Sequence, residues 1–107
     1  MPQSQCMRIR LKAGMTDKLV AWVSQVPGRM DEVEVSMREQ GIIAEHIYLE
    51  RSPDGDSIIF YVKAEDLAKT RDVFQNSTRS IDQEMIEICN ATWDTSDVTR
   101  FEPVLEL

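Results

Sequence analysis

The chain has 107 residues, 42% of them hydrophobic and 29% charged, which is typical of one globular domain, here residues 1–107. Its net charge of −7 opposes attraction to phosphate backbones and anionic lipids, which argues against nucleic acid and membranes as partners. Its apolar runs are far shorter than the roughly 20 residues that span a bilayer, and Met1–Gln5 lacks a secretion-signal pattern. We therefore expect a cytoplasmic protein.

The residues that commonly hold metals or form disulfides are few and scattered. Cys6 and Cys89 are the two cysteines, and they lie far apart in the sequence, so we expect both to be reduced thiols that pack as small side chains. His46 is the single histidine and has no spaced set of ligands around it. No glycine-rich phosphate loop is present. We predict a protein without metal or cofactor, stable in the presence of chelator and reductant.

The first half of the chain predicts a strand followed by helix. Residues Gln5–Lys12 alternate between apolar side chains on one side and polar ones, including Arg8 and Arg10, on the other. Apolar residues then recur at helical spacing up to Gly41, interrupted at Pro27-Gly28. Proline disrupts a helix interior, so one kinked helix and two short helices joined by a turn are both consistent with this segment.

The second half predicts a hairpin, a divided helix and a final strand. Ile42–Arg51 and Ser57–Lys63 are rich in β-branched and aromatic residues, and a turn sequence, Ser52–Asp56, separates them. A helical region follows, broken near Asn76-Ser77 and ending at Trp93. A polar stretch then leads to a last strand, which we place from Phe101 to Leu107 because the residues there alternate.

The resulting order, βαββαβ, is that of a ferredoxin-like α+β fold, a four-stranded antiparallel sheet with helices on one face. The second face of such a sheet is bare. A chain of this size buries only roughly 60–70% of its unfolded surface, and a partner normally covers a bare face of this kind. We therefore predict a homodimer.

Four segments resemble a known family: Met7–Lys12, Ile47–Glu50, Tyr61–Leu67 and Glu102–Leu107. They are similar to an uncharacterised family of bacterial proteins of about a hundred residues, within the usual domain size. That resemblance implies the dimeric α/β-barrel fold, in which two ferredoxin-like subunits face each other sheet to sheet. It implies no particular chemistry.

A more distant similarity, carried by the hairpin, the second helical region and the final strand, is to L-rhamnose mutarotase. It implies a polar pocket in the barrel. The mutarotase pattern places a histidine in the first long helix, but Asp17–Gln40 contains none, and its paired tryptophans in the second helical region are absent as well. Neither catalytic role carries over to this chain.

Strand alternation divides the sheet residues into two sets. The apolar set, expected to pack under the helices, comprises Met7, Ile9, Leu11, Ile43, Ile47, Leu49, Ile58, Phe60 and Val62. The opposite set is unusually polar and comprises Arg8, Arg10, Ala44, His46, Tyr48, Glu50, Ile59, Tyr61, Lys63, Glu102, Val104 and Glu106.

Candidate site residues come from the polar set. Histidine is the side chain that most often transfers protons in enzymes, so His46 is the natural proton-transfer group, with Tyr48 and Tyr61 as assistants. Arg8 and Arg10 either form ion pairs with glutamates of the last strand, such as Glu102, or hold an anionic ligand group by the planar guanidinium.

Two functions remain open from the sequence. The first is a cofactor-free enzyme or binding protein that holds a small organic molecule in the barrel pocket between sheet and helices and isomerises or oxidises it. The second is a non-catalytic homodimeric interaction or regulatory module, in which the polar face is filled by its own charge pairs. An enclosed pocket of about 300 Å³ or more that reaches His46 would favour the first.

Overall fold

The computed structural model describes residues 1–107 and contains four strands, four α-helices and a short 3-10 turn. In chain order the elements are β1 Gln3–Leu11, α1 Thr16–Val23, the 3-10 turn Val26–Arg29, α2 Met30–Gln40, β2 Ile42–Glu50, β3 Ser57–Ala64, α3 Leu67–Gln75, α4 Ser80–Thr92 and β4 Trp93–Arg100.

The four strands form one antiparallel sheet in the order β2-β3-β1-β4. This arrangement confirms the predicted α+β, ferredoxin-like fold. The central hairpin is also confirmed, and its register places His46 opposite Tyr61. Gly55 in the hairpin turn has a φ of +126°, and a Cβ there would lie 3.0 Å from the Arg10 guanidinium, so the turn favours glycine on both counts.

Both helical regions are divided. Pro27 lies in the 3-10 turn between α1 and α2, so the two-helix alternative is the observed one. Gly41 ends α2 in the left-handed conformation, at a φ of +73°. The predicted break in the second region separates α3 from α4, and Asp66 caps α3 by accepting hydrogen bonds from the amides of Ala68 and Lys69. None of these helices has the length and hydropathy needed to cross a membrane.

The prediction of the last strand is wrong. β4 begins at Trp93, and the alternating residues 101–107 form an exposed tail without regular structure. β4 is an edge strand with mostly exposed side chains, and its register with β1 shifts between the pairs Ile9–Val98 and Arg10–Asp94. This irregularity removes the alternation by which a strand is recognised. Glu102 therefore lies in the tail and not on the strand beside β1.

Ile43 is a second correction. It was expected under the helices, but it is the extra residue of a bulge between the pairs Ile42–Ala64 and Ala44–Lys63, and it is 47% exposed. A bulge reverses the parity of a strand locally, so alternation read from the sequence fails at that point.

The buried core is small and lies where α1 and α4 pack on the sheet. Its five residues are Ile9, Leu11, Leu19, Ile58 and Ile88. Fully burying a side chain of this size contributes roughly 1.5–3 kcal/mol. The core occupies only part of the space between the sheet and the helices, and the remainder is a cavity.

Candidate functional site

The sheet face away from the helices, here called the open face, brings three predicted residues together. Tyr48 Oη lies 3.3 Å from His46 Nδ1, and the rings of His46 and Tyr61 are 5.9 Å apart. Both His46 and Tyr48 are exposed, Tyr48 by 58%. The three side chains form a cluster at the surface, on and beside the edge strand β2.

The two arginines of the open face are engaged within the chain. Arg8 Nε lies 3.0 Å from Glu50 Oε1, and its guanidinium lies 5.4 Å from the centre of the Phe101 ring. Arg10 donates a hydrogen bond of 2.9 Å to the Gly55 carbonyl and lies 3.7 Å from the Asp97 carboxylate. Ion pairs thus form as expected, but with partners other than Glu102. At this exposure each contributes about 0–1 kcal/mol.

A cavity of about 810 Å³ lies on the other side of the sheet, between the sheet and the helices. We call it the helix–sheet cavity. Of its 27 lining residues 17 are hydrophobic, and the polar ones are Gln5, Ser36, Gln40, Glu45, Thr70, Arg71, Gln75, Asp82, Asn90 and Thr95. None of the site residues predicted from the sequence lines it. Its volume is within the range of roughly 300–1,000 Å³ found for small-molecule sites.

Aromatic rings form much of the apolar wall. Trp22, Phe60, Phe74 and Trp93 all line the helix–sheet cavity, and the rings of Phe60 and Trp93 are 6.2 Å apart. Trp93 Nε1 is buried and has no hydrogen-bond partner. Buried donors are normally paired, so this indole N–H is an exception on the wall of the cavity.

Glu45 is the unusual polar residue of this cavity. It lies on the helix side of β2 between apolar neighbours, and its carboxylate makes no hydrogen bond or ion pair within the chain. Burial, and then the nearby charge of Asp82, raise the pKa of Glu45 above its ordinary value. The sequence carries a signal for it, because Glu45 is the one acid among the apolar residues that alternate along β2.

The second carboxylate, Asp82 on α4, is held by hydroxyl groups. Ser36 Oγ donates to Asp82 Oδ1 at 2.5 Å, and Ser77 Oγ donates to Oδ2 at 2.6 Å. Gln40 Nε2 in turn donates to Ser36 Oγ at 2.8 Å. This buried network ties α2 to α4 and fixes one wall of the helix–sheet cavity.

Cys89 also lines the cavity but is not a nucleophile. Burial, and then the charge of Glu45, raise the pKa of the Cys89 thiol to about 12, so the unreactive protonated form predominates at neutral pH. Across the molecule, no group of three or more His, Cys, Asp or Glu residues is placed to hold a metal ion.

Comparison with models of known protein families identifies the family of this chain. The model of the family of unknown function DUF6176 matches residues 2–107, nearly the whole sequence. The chain belongs to this family. The expected resemblance to an uncharacterised family of small proteins is thereby confirmed. No curated protein matches this DUF6176 member by sequence.

Solved structures share the fold of this DUF6176 protein. Rv0793 from Mycobacterium tuberculosis aligns with a TM-score of 0.57 and 16% identity, over 99% of this chain and 98% of that one. The L-rhamnose mutarotase FA22100 from Formosa agariphila aligns with a TM-score of 0.60 and 10% identity, over 98% of each chain. The distant similarity to the mutarotase is therefore confirmed for the fold. At these identities no activity is transferred.

Proposed function

We propose that the protein binds a small, largely apolar organic molecule in the helix–sheet cavity without a cofactor. The observation that carries the proposal is the Glu45 carboxyl, which faces a mainly apolar cavity without a partner from its own chain. Glu45 is half-buried, and a carboxylate that is partly withdrawn from water without a partner destabilises a fold, so a ligand that supplies the partner is favoured. A carboxyl with a raised pKa is also a common feature of proton-transfer sites, so isomerisation by proton transfer is the enzymatic form of this proposal.

The experiment is a fluorescence titration with Nile red, a neutral apolar dye. Val33→Phe places a larger side chain in the helix–sheet cavity, whereas Val35→Phe alters the same helix at a half-buried position outside it. We expect a lower affinity for Val33→Phe, because the larger ring occupies part of the volume that the dye would fill. Val35→Phe and His46→Ala should bind as the wild type does. Equal binding by all four proteins would refute the proposal.

The open face supports a second proposal, a homodimer that pairs two sheets. It carries exposed aromatic side chains, Tyr48 and Phe101, beside the half-buried Ile59 and Tyr61. Interfaces are enriched in aromatic residues and arginine, and this face carries both. In such a dimer the open-face cluster would lie between subunits, where His46, Tyr48 and Tyr61 would transfer protons and Arg8, Arg10 or Glu102 would hold a ligand.

The dimer is equally compatible with a non-catalytic interaction or regulatory module, because the arginines already have partners within the chain. The setting we propose is a bacterial cytoplasm. It is supported by Cys6 and Cys89, which are both free thiols.

A further inference from the structure

We propose that the ligand of the helix–sheet cavity is an organic cation, a protonated amine on an apolar body, whose ammonium group pairs with Glu45. This inference rests on the proposed function, because it names the chemical class of the molecule that the cavity holds.

The charges on the cavity wall provide the first argument. Four lining residues are charged or titratable: Glu45, Arg71, Asp82 and Cys89. No ion pair within 4.0 Å involves Glu45 or Asp82, and the hydrogen bonds to Asp82 come from neutral hydroxyl groups. Arg71, the single cationic lining residue, is exposed on α3. Asp82 has the positive charge of Arg79 nearby, outside the cavity lining. Glu45 is therefore the carboxyl group on the cavity wall without a cationic neighbour, and an ammonium group supplies one.

The aromatic wall provides the second argument. Trp22, Trp93, Phe60 and Phe74 line the same cavity as Glu45. The face of an aromatic ring attracts an alkylammonium group, with tryptophan the strongest partner. The same rings accommodate the hydrocarbon part of the molecule. A site that combines an unpaired carboxylate with aromatic walls is suited to both ends of an organic amine.

Other ligand classes fit less well. A carboxylate or phosphate would be repelled by Glu45 and Asp82 and would find its cation only at the exposed Arg71. A neutral alcohol can hydrogen-bond to Glu45 but leaves its charge uncompensated. An inorganic cation has no hydrocarbon part to pack against the apolar wall. The net charge of −7 also raises the concentration of cations near the protein.

Amine binding is coupled to the ionisation of Glu45. Because burial and Asp82 raise the pKa of Glu45, its carboxyl keeps its proton to a higher pH than an ordinary glutamate does. When a protonated amine binds, the carboxyl ionises, and its proton is released to the solvent while the ammonium keeps its own. The other titratable or charged groups facing this site are Asp82 and Cys89 on α4 and Arg71 on α3. Binding therefore releases protons and strengthens as the pH rises through the raised pKa.

The test uses three probes with one hydrocarbon chain: octylamine, octanol and octanoate. Each is titrated by calorimetry at pH 7 into the full-length wild type, Glu45→Gln and Glu87→Gln. Glu87 is exposed on α4 outside the cavity, so its variant removes the same charge without altering the site. We expect octylamine to bind the wild type and Glu87→Gln at least about tenfold more tightly than octanol, as a charge-assisted pair does. Octanoate should bind most weakly.

Glu45→Gln should lose the preference for octylamine and keep its affinity for octanol. Titrations of octylamine at successive pH values from 4.5 upward, in buffers with different ionisation enthalpies, should show proton release from the wild type across the raised pKa of Glu45 and none from Glu45→Gln. If octanol binds and octylamine shows no preference, or if Glu45→Gln keeps the preference, the amine inference is wrong and the proposed function stands. If none of the three probes binds, both fail. Thermal melts establish that each variant is folded.

Discussion

Glu45 and His46 are consecutive in β2 and lie on opposite faces of the sheet. Glu45 is opposite Val62 and faces the helix–sheet cavity, whereas His46 is opposite Tyr61 and faces away from the helices. Successive side chains of a strand alternate in this way, so a shift of one residue would exchange the two. The molecule therefore has two titratable candidates that the sheet separates, and substitutions at one should leave the other unaffected.

The first prediction concerns pH and Glu45. Its pKa in the folded protein is raised above the ordinary value of 4.5, so folding favours the protonated carboxyl. The stability that this contributes is fully present below about pH 4.5 and is lost as the pH rises through the raised pKa. We expect the melting temperature of Glu45→Gln, relative to the wild type, to increase as the pH rises from 4.5 through the raised pKa and then to level off.

The difference in melting temperature between Glu45→Gln and the wild type reports on Glu45 alone. The hydrogen bonds from Arg29 or Arg79 that lower the pKa values of Glu84 and Glu39 have the opposite pH dependence, but they are present in both proteins and cancel. Glu87→Gln is the matched control and should show a constant difference. If the melting temperature of Glu45→Gln relative to the wild type also stays constant with pH, the Glu45 carboxyl of the wild type is solvated.

The second prediction concerns the hydroxyl that joins α2 to α4. Ser36→Ala leaves Asp82 without one of its donors and Gln40 without its acceptor, both in buried positions. We expect a loss of about 1–3 kcal/mol in the free energy of unfolding, the usual cost of an unsatisfied buried polar group. Urea denaturation measures it. Ser80→Ala, at an exposed serine that makes no side-chain hydrogen bond, should change stability by less than about 0.5 kcal/mol.

The third prediction concerns the reactivity of Cys89. Its pKa of about 12 implies very little thiolate at pH 8. In a Cys6→Ser background, alkylation by iodoacetamide should be at least about a hundredfold slower for the folded protein than for the protein in urea, because the thiolate is the reactive species. Glu45→Gln removes a charge that raises this pKa, so it should accelerate the reaction. Mass spectrometry over time gives the rates, and a rate unaffected by Glu45→Gln would place the two groups further apart.

Much of the fold could be predicted from local patterns. The alternation in β1, the turn residues Ser52–Asp56 and the break at Pro27-Gly28 each indicated an element that the structure contains. These signals are local consequences of backbone chemistry. β4 was misplaced because an exposed edge strand with an irregular register does not need apolar alternation, whereas the tail after Arg100 happens to alternate.

A pocket between sheet and helices is one of the sequence hypotheses, but its size and its lining residues could not be predicted, because they depend on how far α2 and α3 lie from the sheet, a property of packing and not of any one segment. Glu45, in contrast, could have been identified from the sequence. Strand parity alone places it with Ile47 and Leu49, and an acid in such a position is rare unless it has a partner. The single histidine, His46, lies on the open face, so residue type alone places a proton-transfer site there.

The last prediction is the homodimer. Tyr48 is exposed on the open face, so Tyr48→Glu should not disturb the fold of the single chain. In a sheet-to-sheet dimer, however, it would place one negative charge from each subunit inside the interface. Specific interfaces bury roughly 1,200–2,000 Å², and a buried unpaired charge in one costs several kcal/mol. At micromolar concentration we expect light scattering to give twice 12.3 kDa for the wild type and 12.3 kDa for Tyr48→Glu.

Val20→Glu changes an exposed apolar residue on α1, on the helix side, and should remain a dimer. A wild type that is monomeric at every concentration would rule out the dimer, and with it any role for His46 between subunits. A dimer that survives Tyr48→Glu but not Val20→Glu would place the interface on the helices instead.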